Sequence, residues 1–438
     1  MGNREANSGQ PIPKSQKVFA LVDCNNFYVS CERVFNPKIK DKPVAVLSNN
    51  DGVIVARSNE VKALGIPMGA PVFKYEKLLD SHNVTILSSN YQLYGDMSRR
   101  VMTSLQLLAP EVEIYSIDEA FLSLDGLKVR SYEQYCVEVK QKILQWTGIP
   151  VTIGIGTTKT LAKVANRIAK KNPEYRGVLD VTNNPLTDKF LEMTEVSDIW
   201  GVGGQYTRRL HALGIKNALQ LRNLDPNWTR KIFTINGMRT VMELRGISCI
   251  NLEDSPPPRK QIITSRSYGT PVEDLQKLRE SVASYVAAAA SKLRQQRSVT
   301  DTLTVYITTN YFKKHEPQYS NSCTLKLHKH TDYTPTLTKE ASLALERIYR
   351  SGYRYKKAGV VLTGILPKER RQLGIFTSKV SCRGETSLMR AVDAINRNWG
   401  RHTIKVAAEG IRQEWKMRQD LRTGCFTTRW DELITIKI

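Results

Sequence analysis

Long apolar runs are missing from this sequence. No stretch approaches the ~18 residues that a membrane span requires, and the first 17 residues, MGNREANSGQPIPKSQK, are polar and unlike a signal peptide. Position 6 is Ala6, where an N-myristoylation signal needs Ser or Thr. Cysteine is sparse: seven scattered residues without a CxxC pair argue against a disulfide framework or a structural zinc site and point to a reducing cytosol. Histidine is rarer still, and His328 and His330 read as solvated strand neighbours rather than metal ligands. Acid is also short, with 42 Asp and Glu against 65 Lys and Arg, a net charge of +23. A field of that sign says nothing about fold, but it favours an anionic partner and, without a membrane segment, nucleic acid.

The acids that are there are pointedly placed. Ser116-Ile117-Asp118-Glu119-Ala120-Phe121 sets two adjacent carboxylates at the junction of two β-rich runs, 111–116 and 121–124. Neighbours in a strand point to opposite faces, so the two stay close to one site only where the chain bends. A third carboxylate lies 95 residues upstream, where the apolar strand 18–23 ends in Asp23-Cys24-Asn25-Asn26-Phe27-Tyr28. Two hard divalent cations holding a triphosphate need a few carboxylate oxygens from separate strands. Asp23, Asp118 and Glu119 supply such a set.

Five strings in register carry a resemblance: FALVDCNNFYVSCERVF, KPVAVLSNNDGVIVARSNEVKALGIPMG, SSNYQLYGDMSRRVM, EIYSIDEAFLSL and GIGTTKTLAKVAN. Together they resemble the Y-family DNA polymerases, in their UmuC-type branch, from Val18 to the C-terminus. The fold class implied is a multidomain α/β chain: a right-hand polymerase with palm, fingers, thumb, little finger and a C-terminal extension.

The residues can be parsed against those parts. Residues 1–17 read as a disordered leader. From Val18 the pattern alternates strands (44–47, 84–87, 111–116, 151–156) with helices, one of them amphipathic along Tyr94, Met97, Val101, Leu105 and Leu108, and 18–35 with 84–185 read as an α/β palm. Within it, 36–83 is a small insert with the tight-turn signal Asn49-Asn50-Asp51-Gly52, the fingers. Residues 186–250 lose strand character, and Ile199-Trp200-Gly201-Val202-Gly203 followed by Leu213-Gly214-Ile215 has helix-hairpin-helix spacing, which offers backbone N–H groups to a DNA phosphate. This is the thumb. Residues 251–260, with Pro256-Pro257-Pro258, form a stiff linker.

Beyond the linker, 261–366 reads strand, long Ala-rich helix (272–297), strand, strand, helix, strand: the βαββαβ order of the little finger. It holds 16 Lys and Arg against 8 Asp and Glu, and the extension 367–438 holds 15 against 8. Such a surplus fits clamping of the duplex backbone without base readout.

What the resemblance implies for the site is specific. Asp23 and Asp118 would bridge two Mg²⁺ ions, Glu119 would hold the primer-side ion, and the backbone carbonyl of Cys24 would complete the nucleotide-side ion, with dNTPs as substrates. Tyr28, beside Phe27, would be the steric gate beneath the sugar. Arg57 and Lys62 flank the fingers helix. Lys163 and Lys170, two helical turns apart, share one helix face, and by register Lys170 meets the triphosphate. The chain departs from many members in carrying Asn59 for Tyr and Lys62 for Arg.

The partners implied are primer–template DNA, a cleaved UmuD′-type dimer, RecA with ATP, and a sliding clamp met by Gln372-Leu373-Gly374-Ile375-Phe376. Localisation would be the bacterial cytoplasm, at the nucleoid, and the role error-prone translesion synthesis in the SOS response. Gly424-Cys425-Phe426 departs from the branch's usual residues before Thr427-Thr428-Arg429-Trp430. Two other readings of the acids stay open at this level: a nucleotidyl cyclase with a related palm, and a non-catalytic DNA-binding subunit that keeps the fold.

Overall fold

The computed structural model describes residues 17–253, 257–370, 379–400 and 402–433. The leader to residue 16, linker residues 254–256 and the pentapeptide Gln372-Leu373-Gly374-Ile375-Phe376 lie outside the described residues. The chain divides into two compact units, the first from 1–46, 54–256 and 421–438, the second from 47–53 and 257–420. Among the described residues no helix is long and apolar enough to cross a membrane.

The first unit is built on β1 (Phe19–Cys24), whose apolar run makes it the buried middle strand of a sheet. It is followed by α1 (Phe27–Phe35) and then by β2 (Val44–Leu47), β3 (Ile54–Arg57), α2 (Asn59–Ala63), α3 (Val72–Ser81) and β4 (Thr85–Ser88). Strands β3, β2 and β4, in that order, form a small separate sheet. Next, α4 (Tyr91–Leu108) buries the predicted stripe of Tyr94, Met97, Val101 and Leu105, and Asn90 caps it by accepting from the Leu93 N–H at 3.2 Å.

The chain then returns through β5 (Glu111–Ile114), β6 (Glu119–Ser123), α5 (Tyr132–Thr147), β7 (Val151–Gly156), α6 (Lys159–Lys171) and β8 (Val178–Asp180). The main sheet has the order β5-β6-β1-β7-β8, with β7 and β8 its one parallel pair. The run expected as strand to residue 116 stops at Ile114. The N–H groups of Tyr115 and Ser116 both donate to the carbonyl of Glu119 (3.1 and 3.0 Å), closing a tight turn there.

Helix α6 lies unusually close to β7. A Cβ on Gly154 would stand 2.1 Å from the backbone nitrogen of Asn166, so only glycine permits the contact. Lys159, at the start of α6, is 1% exposed and ion-paired with buried Glu113, and it donates to the carbonyl of Asn251 at 2.8 Å. Glu113 also accepts from the Glu253 N–H at 2.6 Å. Removing one partner of a buried pair leaves the other charge stranded. Lys159→Met is therefore expected to cost about 3–5 kcal/mol, read as a lowered urea midpoint of the full chain.

Short helices α7 (Thr187–Glu192), α8 (Gly204–Ala212) and α9 (Ala218–Arg222) and the longer α10 (Pro226–Leu244) complete this unit with a core of Leu191, Leu210, Leu221, Phe233 and Val241. Gly201 (φ 89°), just before α8, and Gly214 (φ 78°), just after it, take left-handed backbone that favours glycine.

The second unit runs β9 (Ile262–Val272), α11 (Leu275–Gln295), β10 (Ser298–Thr309), β11 (Ser320–Thr331), α12 (Thr334–Ile348) and β12 (Tyr355–Thr363). The sheet order is β11-β10-β12-β9, all antiparallel. Alternate residues of β10 (Leu303, Val305, Ile307) face the two helices, which bury Leu278, Val282, Leu337 and Leu345. The long helix begins at Leu275 rather than at 272, because Asp274 caps it through the Lys277 N–H at 2.8 Å.

After β13 (Leu366–Pro367), α13 (Lys379–Asn398) is tied to α11 by a two-pronged pair of Arg294 with Asp393, at 2.6 and 2.8 Å. Trp415 is 6% exposed, packed edge-on against Tyr268 and Tyr285. The extension thus contributes to the core of this unit.

Candidate active site

The three acids meet where β1 and β6 pair. Asp23, the fifth residue of β1, stands opposite Glu119, the first of β6. Asp118 sits in the turn just before, and its carbonyl accepts from the Cys24 N–H at 2.8 Å. Ser116 organises that turn: its Oγ accepts from the N–H groups of Asp118 (3.2 Å) and Glu119 (3.0 Å) and donates to Asp118 Oδ1 at 2.6 Å. Adjacent acids that alternation would set on opposite faces are thereby kept at one end of the sheet.

Helix α6 answers them with two cations. Lys170 is ion-paired with Asp23, and Lys163 Nζ lies 3.2 Å from both oxygens of Glu119. Lys163 also lies over the rings of Tyr115 and Trp200, at 4.4 and 5.3 Å. Burial pushes the Asp23 carboxyl up to about 6; Lys170 opposes the shift, and the charges of Glu119 and Asp118 add to it. Burial likewise holds the Cys24 thiol far above its ordinary range, so it carries no thiolate.

The donors gathered here are all hard oxygens, a set suited to a divalent cation such as Mg²⁺. Lys170 and Lys163 pair with two of the acids, and no three His, Cys, Asp or Glu among the described residues form a group that could hold a metal ion as they stand. The crowding of three acids at one strand end is nonetheless what a cation would relieve.

A second cationic group faces the first. Lys62 donates to Asn26 Oδ1 at 2.5 Å, and its pKa is lowered by burial and then by the charges of Lys170 and Arg57. Arg57 donates to the carbonyl of Ile66, while its Nε is buried without a partner. Asn59 lies within the Asn26 and Lys62 cluster, accepting from Asn26 Nδ2 at 3.1 Å. Uncompensated cations held side by side favour an anion between them.

The aromatic pair divides its work. Phe27 is 4% exposed and belongs to the core. Tyr28 is half-buried, stacked on Tyr94 with centroids 4.4 Å apart and planes at 16°, and edge-on to Tyr91. Its hydroxyl is pushed up in pKa by burial first, then by Tyr91 and Asp118.

The geometry brings together Asp23, Asp118, Glu119, Lys170, Lys62 and Arg57, and sets Tyr28 beside them. Sequence reasoning passed over Ser116, visible inside the same string as the acids, and Asn26, whose left-handed φ of 47° marks the sharp turn into α1. Lys163 was expected to share a helix face with Lys170, but its pairing with Glu119 required the fold.

A five-stranded sheet carrying an acid cluster, helical segments after it and a separate βαββαβ unit make up a fold shared with solved Y-family DNA polymerases. A solved Y-family polymerase chimera of Dbh and Dpo4 superposes with a TM-score of 0.62 at 23% identity, covering 80% of this chain and 99% of that one. Residues 22–167 match the impB/mucB/samB family, 259–375 match that family's C-terminal domain, and 386–436 match a domain of unknown function, DUF4113.

Protein UmuC of Salmonella typhimurium is 40% identical over 96% of this chain and 100% of its own length. Protein MucB of Escherichia coli is 39% identical over 94% and 98%. DNA polymerase IV of Desulfatibacillum aliphaticivorans is 26% identical over 90% and 97%. The chain belongs to the impB/mucB/samB family of UmuC-type proteins, and it is a translesion DNA polymerase.

Proposed function

We propose that the β1–β6 acid cluster is the polymerising centre, extending a primer 3′-OH on a damaged template by transfer of a dNMP with release of pyrophosphate. The observation that carries this is the convergence of Asp23, Asp118 and Glu119 at one strand end beneath Lys163 and Lys170. Asp23, Asp118, Glu119 and the Cys24 carbonyl would hold two Mg²⁺ ions. Such ions stabilise the charge on the attacking and leaving oxygens. Lys170, Lys62 and Arg57 bind the triphosphate, and Lys163 holds Glu119 in place until the substrate complex forms. Tyr28 lies beneath the sugar and excludes a 2′-hydroxyl. The basic surplus beyond residue 260 grips the DNA backbone.

The test is primer extension with Mg²⁺ and dNTPs on a template carrying a single lesion. Extension past the lesion that depends on Asp23 supports the reading, and cyclic nucleotide formation in place of extension would overturn it.

Error-prone synthesis in the SOS response, at the nucleoid, with a UmuD′-type dimer and RecA bound to ATP, is the setting we infer from the UmuC-type relatives. The pentapeptide at 372–376 is proposed to bind the sliding clamp. Replacing Gln372, Leu373 and Phe376 together by Ala is expected to lower clamp-dependent synthesis about tenfold, the loss of a few interface contacts. Distributive synthesis on short primers should not change. Equal loss with and without the clamp would assign these side chains to the protein's own packing.

A further inference from the structure

Helix α1 presents Tyr28 and Glu32 one turn apart, and both engage the same residue of α4. Tyr28 stacks on the Tyr94 ring, while the Tyr94 hydroxyl donates to Glu32 Oε1 at 2.6 Å. Glu32 is 1% exposed. Its second donor comes from the far end of the chain: Thr423 Oγ1 donates to the same oxygen at 3.1 Å. A buried carboxylate is tolerable only while its hydrogen bonds are made.

Thr423 is itself held firmly. Ser88 and Leu421 exchange two bonds of 3.0 Å. Asn90, the cap of α4, donates through Nδ2 to the carbonyls of Thr423 (3.0 Å) and Gly424 (3.1 Å). Phe426 packs on Phe35 at the other end of α1, with centroids 5.2 Å apart, and Cys425 is fully buried.

We propose that this C-terminal segment, 421–432, is a positioning element for sugar selection: through Thr423, Glu32 and Tyr94 it fixes the surface on which Tyr28 stacks. It lies within the match to the domain of unknown function, and among the described residues no hydrogen bond or ion pair joins it to the acids or lysines at the centre. The proposal rests on Tyr28 being the ring beneath the incoming sugar. When the Thr423 hydroxyl is lost, Glu32 keeps one donor and draws the Tyr94 hydroxyl toward a new arrangement, shifting the ring under Tyr28. Small displacements of a positioning group can cost up to about a hundredfold in rate, and a second-hand shift costs less.

The experiment measures kcat/KM for rCTP and dCTP opposite template G with the full chain carrying Thr423→Val, Thr423→Ser, Tyr94→Phe or Tyr28→Ala. Thr423→Val and Tyr94→Phe are expected to raise the rCTP/dCTP ratio about five- to twentyfold, while Thr423→Ser, which keeps the hydroxyl, retains the wild-type ratio. If Tyr28→Ala changes the ratio and neither Thr423→Val nor Tyr94→Phe does, the tail proposal is overturned and the reading of Tyr28 stands. If Tyr28→Ala leaves it unchanged, both fall. Should Thr423→Val fail to fold, Tyr94→Phe decides alone, since it removes the hydroxyl that ties the ring to Glu32 without removing the ring. Equal loss of both nucleotides in that variant assigns the network to stability and overturns the proposal.

Discussion

Asp118→Ala should lower nucleotide incorporation at least about a thousandfold, the scale of losing a group that acts on transition-state charge, while primer–template DNA binds within a few-fold of wild type. The carbonyl of residue 118, which accepts from the Cys24 N–H, survives the substitution, so the turn after β5 keeps its backbone tie. What is lost is the carboxylate that Ser116 orients. Single-turnover extension and fluorescence anisotropy of labelled DNA separate the two effects. A variant that keeps a tenth of wild-type turnover would remove Asp118 from the metal site.

Tyr28→Ala is expected to raise the rCTP/dCTP ratio of kcat/KM by at least about a hundredfold, since exclusion by a rigid wall is worth a few kcal/mol and roughly 1.4 kcal/mol is tenfold. On the proposed reading, the stack on Tyr94 would supply the rigidity of that wall. A tyrosine that served only packing would behave differently: its truncation would lower the melting temperature and depress both nucleotides alike. An unchanged ratio in a folded variant would remove Tyr28 from the sugar pocket.

The elements were legible wherever a local period was strong. The stripe along α4, the apolar runs of β1, β2 and β7 and the alternation of β10 each report burial of a face by that segment alone. Boundaries were displaced where one side chain or turn intervened, as at Asp274 and at the turn before Glu119, because a cap or turn bond has no periodic signature. The extension's part in the second unit's core has no sequence signature, because a lone Trp415 gives no periodic pattern.

By itself the sequence determined the acids, their strand-end placement, the α6 lysines two turns apart and the basic excess, since each is a matter of residue type and short spacing. Only the tertiary structure decided that Glu119 faces Asp23 across a strand pair, that each of these two acids has its own lysine, and that Thr423 reaches Glu32 some 391 residues away. Such pairings depend on strand register and on helix-to-sheet approach, here set by Gly154. These are properties of long-range packing that no local window of sequence encodes.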